Sequence, residues 1–388
     1  MVNKQIIYVG PIGTEGTAMA IHTRNIAEIL EQNGHRVSFV CQSVPNGYNE
    51  YKKNDKYTYS YANQYIKIPK LRAIEWMIEE LSGFKLFKLF KKQCRKIKPD
   101  LVIFYGYSAE RKVIKYCKKN NIKIIIDRTD WFDKIDRKGV FGRIFTRFLS
   151  DKCIEKYDYM ANGVISISKY FYEFYTSGGQ NTIWIPPIFK VNKKEIFNRS
   201  KPNEVNLVYA GSLGGKKDNI YPVVECMIKD LIDMKNQVKL NLVGITEMQL
   251  NEKFGEHKWP ELGINAYGRV PHSIAEKIVS EADFSFLLRQ NKRYAKAGFS
   301  TKFAESMANG VPVICTKVGG ADLLVNDTEN GILVNNNDIS TIMDTLSRIS
   351  KLNDTEITKM KQAAYITATK YFNSSVYIND LREFIENI

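Results

Sequence analysis

Short, almost wholly apolar runs alternate along the chain with longer stretches of helical periodicity. In the first half the runs are IIYVG (6–10), RVSFVC (36–41), LVIFYG (101–106), IKIIID (122–127), GVISIS (163–168) and TIWIPP (182–187), with a helix predicted from about Gly16 to Asn33. Continuous apolar strands, rather than strands polar at every second residue, suit a parallel sheet covered by helices on both faces. The pattern lapses in a polar, extended segment from Pro186 to Glu204. It restarts with VNLVYAG (205–211), VKLNLVG (238–244), INAYG (264–268), FSFLL (284–288), VPVICT (311–316) and GILV (331–334). The chain therefore reads as α/β: two Rossmann-like, doubly wound parallel-sheet domains, residues 1–200 and 201–372, facing a cleft. Beyond Ile339 it is helical and charged. Residues 373–388 carry Ile378, Leu381, Ile385 and Ile388 at helical spacing, which predicts a helix docking one apolar face on the first domain.

Composition narrows the class without choosing a chemistry. With 388 residues and 44% hydrophobic side chains, the chain has enough material for two cores. No apolar run approaches the roughly 18 residues of a membrane span, and the start MVNKQIIYVG reads as a strand rather than a signal peptide, so a cytoplasmic protein is expected. Six cysteines without CxxC pairs and four histidines point to neither disulfides nor a bound metal.

The net charge of +15 sits in the first half. Residues 1–200 hold 35 Lys/Arg against 19 Asp/Glu, whereas residues 201–388 hold 22 against 23. Within residues 84–152 there are 20 basic and 7 acidic side chains, interleaved with Phe84, Phe87, Phe90, Phe145 and Phe148. Such a surface suits the anionic inner face of a membrane or an acidic acceptor, and equally the solvated side of amphipathic helices. No helix-turn-helix, zinc-finger or RNP-like signature accompanies it, so nucleic acid is not the expected partner.

The stretch GFSTKFAESMANGVPVI, Gly298–Ile314, is the richest in chemistry. Gly298 and Ser300 precede strong helix formers, which places free backbone N–H groups at a helix start, where a pyrophosphate binds well. Glu305 follows about 7 Å along the helix axis, close to a phosphate-to-ribose distance, so its carboxylate is placed to accept ribose hydroxyls. The same Lys302 and Glu305 also fit an ordinary surface i,i+3 pair.

The turn Gly211-Ser212-Leu213-Gly214-Gly215-Lys216-Lys217-Asp218 is the second candidate, since glycines admit a ligand to the backbone and ammonium groups neutralise phosphate. A third is the glycine-rich turn from Gly10 to Thr17, with Gly13 and Gly16, which is not a dinucleotide fingerprint. Asp127 and Asp130 lie at or just past a strand end, where a carboxylate orients a hydroxyl or caps a helix. His22 and His272 read as structural.

Taken together, these segments resemble the retaining glycosyltransferases of the GT-B fold placed in family 4. YAGSLGGKKDNI is similar to that family's opening turn of the nucleotide domain, NAYGRVPHSIAEKIVSEADFSFLL to its base-side strand and helix, and GFSTKFAESMANGVPVICTKVGGADLLV to its donor segment. The resemblance spans nearly the whole chain. It implies that Lys217 binds pyrophosphate and Glu305 the ribose, that the amides of Phe299, Ser300 and Thr301 form the turn over the phosphates, and that Gly268, Arg269 and Val270 flank the base. It further implies that Lys216, Lys217 and Lys302 neutralise the leaving group, and that Gly13 and Gly16 belong to the acceptor domain. Three departures stand out: Ala297 replaces the first of two paired glutamates, Ser212 replaces an arginine, and an acceptor-domain histidine near residue 127 is absent.

The activity so implied is transfer of a hexose or N-acetylhexosamine from a nucleoside diphosphate sugar, without a metal. The acceptor would be lipid-linked or an oligosaccharide, the setting surface-polysaccharide assembly on the inner face of the membrane, and the outcome retention. A sugar-nucleotide epimerase of similar architecture and a membrane-bound scaffold with a degenerate donor site fit the same residues.

Overall fold

The computed structural model describes residues 3–10, 12, 17–43, 57–63, 78–79, 82–132, 140–191, 199, 204–213, 218–229 and 238–388, with side chains omitted at 140–145. The chain divides into two compact units, residues 1–188 with 374–388, and residues 189–373.

The first unit is built on seven parallel strands: β1 (Gln5–Gly10), β2 (Arg36–Ser43), β3 (Thr58–Asn63), β4 (Leu101–Tyr105), β5 (Lys123–Arg128), β6 (Gly163–Ser166) and β7 (Thr182–Trp184), in the order β3-β2-β1-β4-β5-β6-β7. Ile6, Ile7, Tyr8 and Val9 of β1 are all fully buried, so both faces of the sheet are covered and the unbroken apolar run is explained. β3 is an edge strand whose sequence, TYSYAN, has no apolar run to announce it. Its Tyr59 stacks on Phe39 of β2 with ring centroids 5.0 Å apart, and Tyr61 stacks on Tyr59 at 6.1 Å.

The second unit repeats the plan with six parallel strands: β8 (Val205–Ala210), β9 (Val238–Val243), β10 (Ile264–Gly268), β11 (Phe284–Leu287), β12 (Val313–Thr316) and β13 (Gly331–Val334), ordered β10-β9-β8-β11-β12-β13. In each sheet the order reverses once, between β1 and β4 and between β8 and β11. Ligands of open parallel sheets bind beyond the carboxyl ends of the strands at such a reversal.

The first unit closes at Ile188, earlier than the boundary near residue 200 suggested by the polar composition, because Ile185 and Ile188 are buried in its core. Phe189 then pairs with Asn373, its N–H donating to Phe372 O at 2.7 Å, so the chain enters and leaves the second unit at one place. The terminal helix Ile378–Glu386 buries Leu381, Phe384 and Ile385 in the first unit, packed on helix Ala18–Gln32. Asn33 Nδ2 donates to Ile378 O at 2.9 Å and Lys4 Nζ to Ile385 O at 3.0 Å, fixing both ends of that helix. All six cysteines are free, buried thiols.

Candidate functional site

In three neighbouring strands of the second unit a glycine stands at the carboxyl end or just after it: Gly211 after β8, Gly244 after β9 and Gly268 at the end of β10. Gly211 N–H donates to Val243 O at 2.8 Å, and Gly244 N–H to Gly268 O at 2.7 Å. Gly244 has φ +91°, and a Cβ there would lie 2.6 Å from Gly211 O, so no larger residue fits. A Cβ on Gly211 would in turn meet both Lys302 Nζ and Tyr209 Oη at 2.7 Å. The carboxyl ends of β8, β9 and β10 thus form a floor free of side chains beside the reversal of strand order.

On this floor, helix Thr301–Ala308 begins. Ser300 caps it, its Oγ accepting from Phe303 N–H at 3.4 Å, and Gly310 at φ +69° follows its end at Asn309. Phe299 turns its ring into the interior against Phe303 and Phe372. Among the described residues, the N–H groups of Phe299, Ser300, Thr301 and Lys302 have no hydrogen-bond acceptor. Unpaired N–H groups at a helix start attract an anion. Glu305 lies half-buried one turn further on. Burial raises its carboxyl above the usual range, Glu276 adds to this, and His272 and Lys302 oppose it.

A cluster of charge sits at the reversal itself. Asp218 accepts from Arg289 Nε at 2.7 Å and from Lys302 Nζ at 2.5 Å, and Lys302 Nζ also lies 4.9 Å from the Tyr209 ring centroid. Burial alone would push the Asp218 carboxyl up; the two cations outweigh it and hold it below the ordinary value. Lys302, read in the sequence as a leaving-group cation, is therefore tied to a carboxylate while standing over Gly211. Asp218 and Arg289 escape sequence reasoning because each looks like an ordinary charged residue beside a strand.

The remaining donor-side candidates separate. Gly268, at φ +62°, is buried at the floor, Arg269 is exposed, and Val270 packs against Val208, Val243 and Val311. Ser212 is exposed, and Ala297 is buried. Lys216, Lys217, Gly13 and Gly16 lie outside the described residues.

In the first unit Asp127, near the end of β5, has its carboxylate inside the fold. It is buried, accepting from Tyr8 Oη and lying 2.9 and 3.0 Å from His22 Nε2. His22 is itself 3% exposed, and its Nδ1 has no partner among the described residues. Asp130 is half-buried; its carbonyl accepts from Tyr107 Oη, and its carboxylate lies 3.4 Å from Thr129 Oγ1. Tyr105 lies between the two aspartates: burial, together with both carboxylates, raises its phenol above the ordinary value. At the end of β1, a Cβ on Gly10 would fall 2.0 Å from Tyr105 O, so that position admits only glycine.

Residues 204–351 match the family described as glycosyl transferases group 1. Among solved structures the chain is similar to sucrose-phosphate synthase from Thermosynechococcus elongatus, with a TM-score of 0.73 and 16% identity over 99% of this chain and 98% of that one. It is also similar to HepE of Anabaena in complex with UDP, with a TM-score of 0.69 and 14% identity over 99% of this chain and all of that one. TarM aligns with a TM-score of 0.72 and 13% identity over 99% of both chains. No curated protein sequence matches. Residues 204–351 thus form a glycosyl transferases group 1 domain, within a chain whose two parallel-sheet units have the GT-B fold of these structures.

Proposed function

We propose that this enzyme moves a hexose or N-acetylhexosamine from a nucleoside diphosphate sugar to a lipid-linked or oligosaccharide acceptor, with retention, in surface-polysaccharide assembly. The observation that carries the reading is the convergence, at one strand reversal, of a glycine floor, four unpaired N–H groups at a helix start and the Lys302 ammonium. Each favours a diphosphate over a neutral ligand. Glu305, one turn into the same helix, is the group for the ribose. HepE, a neighbour by fold, was solved with UDP, with UDP and glucose, and with UDP-glucose, which makes uridine diphosphate sugars the first donors to test.

In the reaction the bond between the anomeric carbon and the diphosphate oxygen breaks, the electron pair passes to the diphosphate, and the acceptor hydroxyl oxygen bonds to that carbon as its proton passes to the departing diphosphate oxygen. Negative charge grows on the leaving group, so cations and N–H dipoles fixed around it lower the barrier without having to rearrange.

A panel of nucleotide sugars screened by thermal shift tests the donor. A donor at 100 times its Kd adds about 2.7 kcal/mol. Release of nucleoside diphosphate that depends on added acceptor separates transfer from epimerisation, and stabilisation by no nucleotide sugar would defeat the reading.

Membrane attachment is the second part of the proposal. Among the described residues no helix is long and apolar enough to cross a membrane. Helix Phe84–Ile97 buries Leu86, Phe90 and Cys94 and leaves Lys88, Lys92, Arg95 and Lys96 exposed, with Phe84 62% exposed at its start. Phe148 is also exposed, with Lys152 Nζ 4.2 Å from its ring centroid. Exposed aromatics among lysines suit an anionic lipid surface. Sedimentation with vesicles should depend on anionic lipid and weaken with salt; indifference to both refutes attachment.

A further inference from the structure

The donor site has a cation that no comparison assigns. Where the resemblance expects an arginine after Gly211, this chain has Ser212. Across the strand reversal, at the end of β11, stands Arg289. Its backbone is fixed on two sides: its N–H donates to Thr316 Oγ1 at 2.9 Å and its carbonyl accepts from the same hydroxyl at 2.8 Å, while it bridges Asp218 in antiparallel fashion. Asn219 N–H donates to Leu288 O at 2.8 Å and extends that bridge. Among the described residues the guanidinium is held by one nitrogen, Nε, which donates to Asp218 at 2.7 Å.

Two facts point to a ligand. The Arg289 side chain is only 10% exposed, yet Nη1 and Nη2 have no hydrogen-bond partner among the described residues. Four of the five N–H donors of a side chain nine-tenths buried are thus left for an acceptor that reaches the site. Moreover, one carboxylate serves two cations, Arg289 and Lys302, so the cluster keeps an excess positive charge beside the unpaired N–H groups of the Ser300 helix start. A planar fork anchored through Nε is suited to two phosphate oxygens at once.

We propose that Arg289 supplies the arginine of this donor site, its Nη1 and Nη2 binding the diphosphate of the donor, and that Asp218 is the positioning residue that holds Arg289 and Lys302 in place. The inference rests on the nucleoside diphosphate sugar reading above. Arg289 thereby replaces, from the neighbouring strand, the side chain that Ser212 lacks. Because the anchor is Nε, lysine at this position keeps a charge for Asp218 but has no fork left for phosphate.

Calorimetric titration of the full chain with UDP and with UMP tests this. Arg289→Gln should weaken UDP binding by about tenfold to a hundredfold and UMP binding far less. Arg289→Lys should regain the melting temperature of the parent without regaining its preference for UDP over UMP, and it decides the matter if Arg289→Gln does not fold. Asp218→Asn should lower the same preference. An unchanged UDP affinity in both Arg289 variants, or a full return of the preference with lysine, overturns the assignment and leaves the donor reading intact. Failure of the parent protein to bind UDP, GDP or ADP overturns both.

Discussion

Glu305 and Asp218 are carboxyls of one site shifted in opposite directions, and their pH signatures should differ accordingly. Burial raises Glu305, so its folded value lies above its unfolded one. The folded state is favoured while the group is protonated, and that advantage is lost as pH rises through the folded value. Glu305→Gln should therefore raise the melting temperature at pH 7.5 and change it little at pH 4, while weakening nucleotide binding. A lower melting temperature at pH 7.5 would show that the carboxylate is stabilised in the folded site. Asp218 is held low by Arg289 and Lys302 against its burial, so its contribution is present above the ordinary carboxylate value of 3.8 and is lost as pH falls through the lower folded one. Asp218→Asn should accordingly cost stability at neutral pH and progressively less in acid, which melts across that range will show. Glu305 and Lys302 were legible in the sequence because helix spacing places them. Arg289 and Asp218 were not, since they are 71 residues apart and meet only through the sheet.

Within elements, what was legible is what is local. The start of helix Thr301–Ala308 could be read from Ser300 and its end from Asn309-Gly310, because capping and left-handed backbone are properties of neighbouring residues. Strand β5 shows the opposite case. Asp127 and Arg128 are adjacent and so point to opposite faces of the sheet, which no composition of the IIIDRTD segment reveals. Asp127 meets Tyr8 and His22; Arg128 meets Glu110 at 2.6 Å and Asp158 at 2.6 and 2.9 Å, and Tyr175 Oη also donates to Asp158. This second cluster joins β5 to helix Glu110–Lys119 and to the turn Asp158–Met160, all three charged groups being buried. Arg128→Ala would leave two carboxylates without their cation and should cost about 3–5 kcal/mol in urea unfolding. A loss under about 1 kcal/mol would mean that the carboxyls are accommodated as neutral acids.

On the scale of the molecule, the first unit is assembled from distant pieces of chain. Its core is completed by Leu381, Phe384 and Ile385 of the terminal helix, and a Cβ on Gly163 of β6 would lie 2.7 Å from the Phe384 ring. Phe384→Ala should cost roughly 3–5 kcal/mol, as for other buried aromatics. Removal of residues 374–388 should expose the first unit to limited proteolysis while residues 204–373 stay protected. Equal loss of protection in both units would show that they do not unfold separately. The periodic apolar residues of this helix were plain in the sequence, although Phe384 was not counted among them; hydrophobic spacing shows that a face is buried but not what covers it.

The sequence by itself determined the α/β class, the twofold recurrence of the strand pattern and the helix start that presents free N–H groups, because periodicity and capping are written in residues close together along the chain. Only the tertiary structure decided which charges share a site. The order in which strands are laid into a sheet brought Arg289 and Lys302 to one carboxylate, moved Asp127 into a buried pair with His22, and lined up Gly211, Gly244 and Gly268 as a floor. Electrostatic partnership acts through space, and spacing along the chain does not encode it.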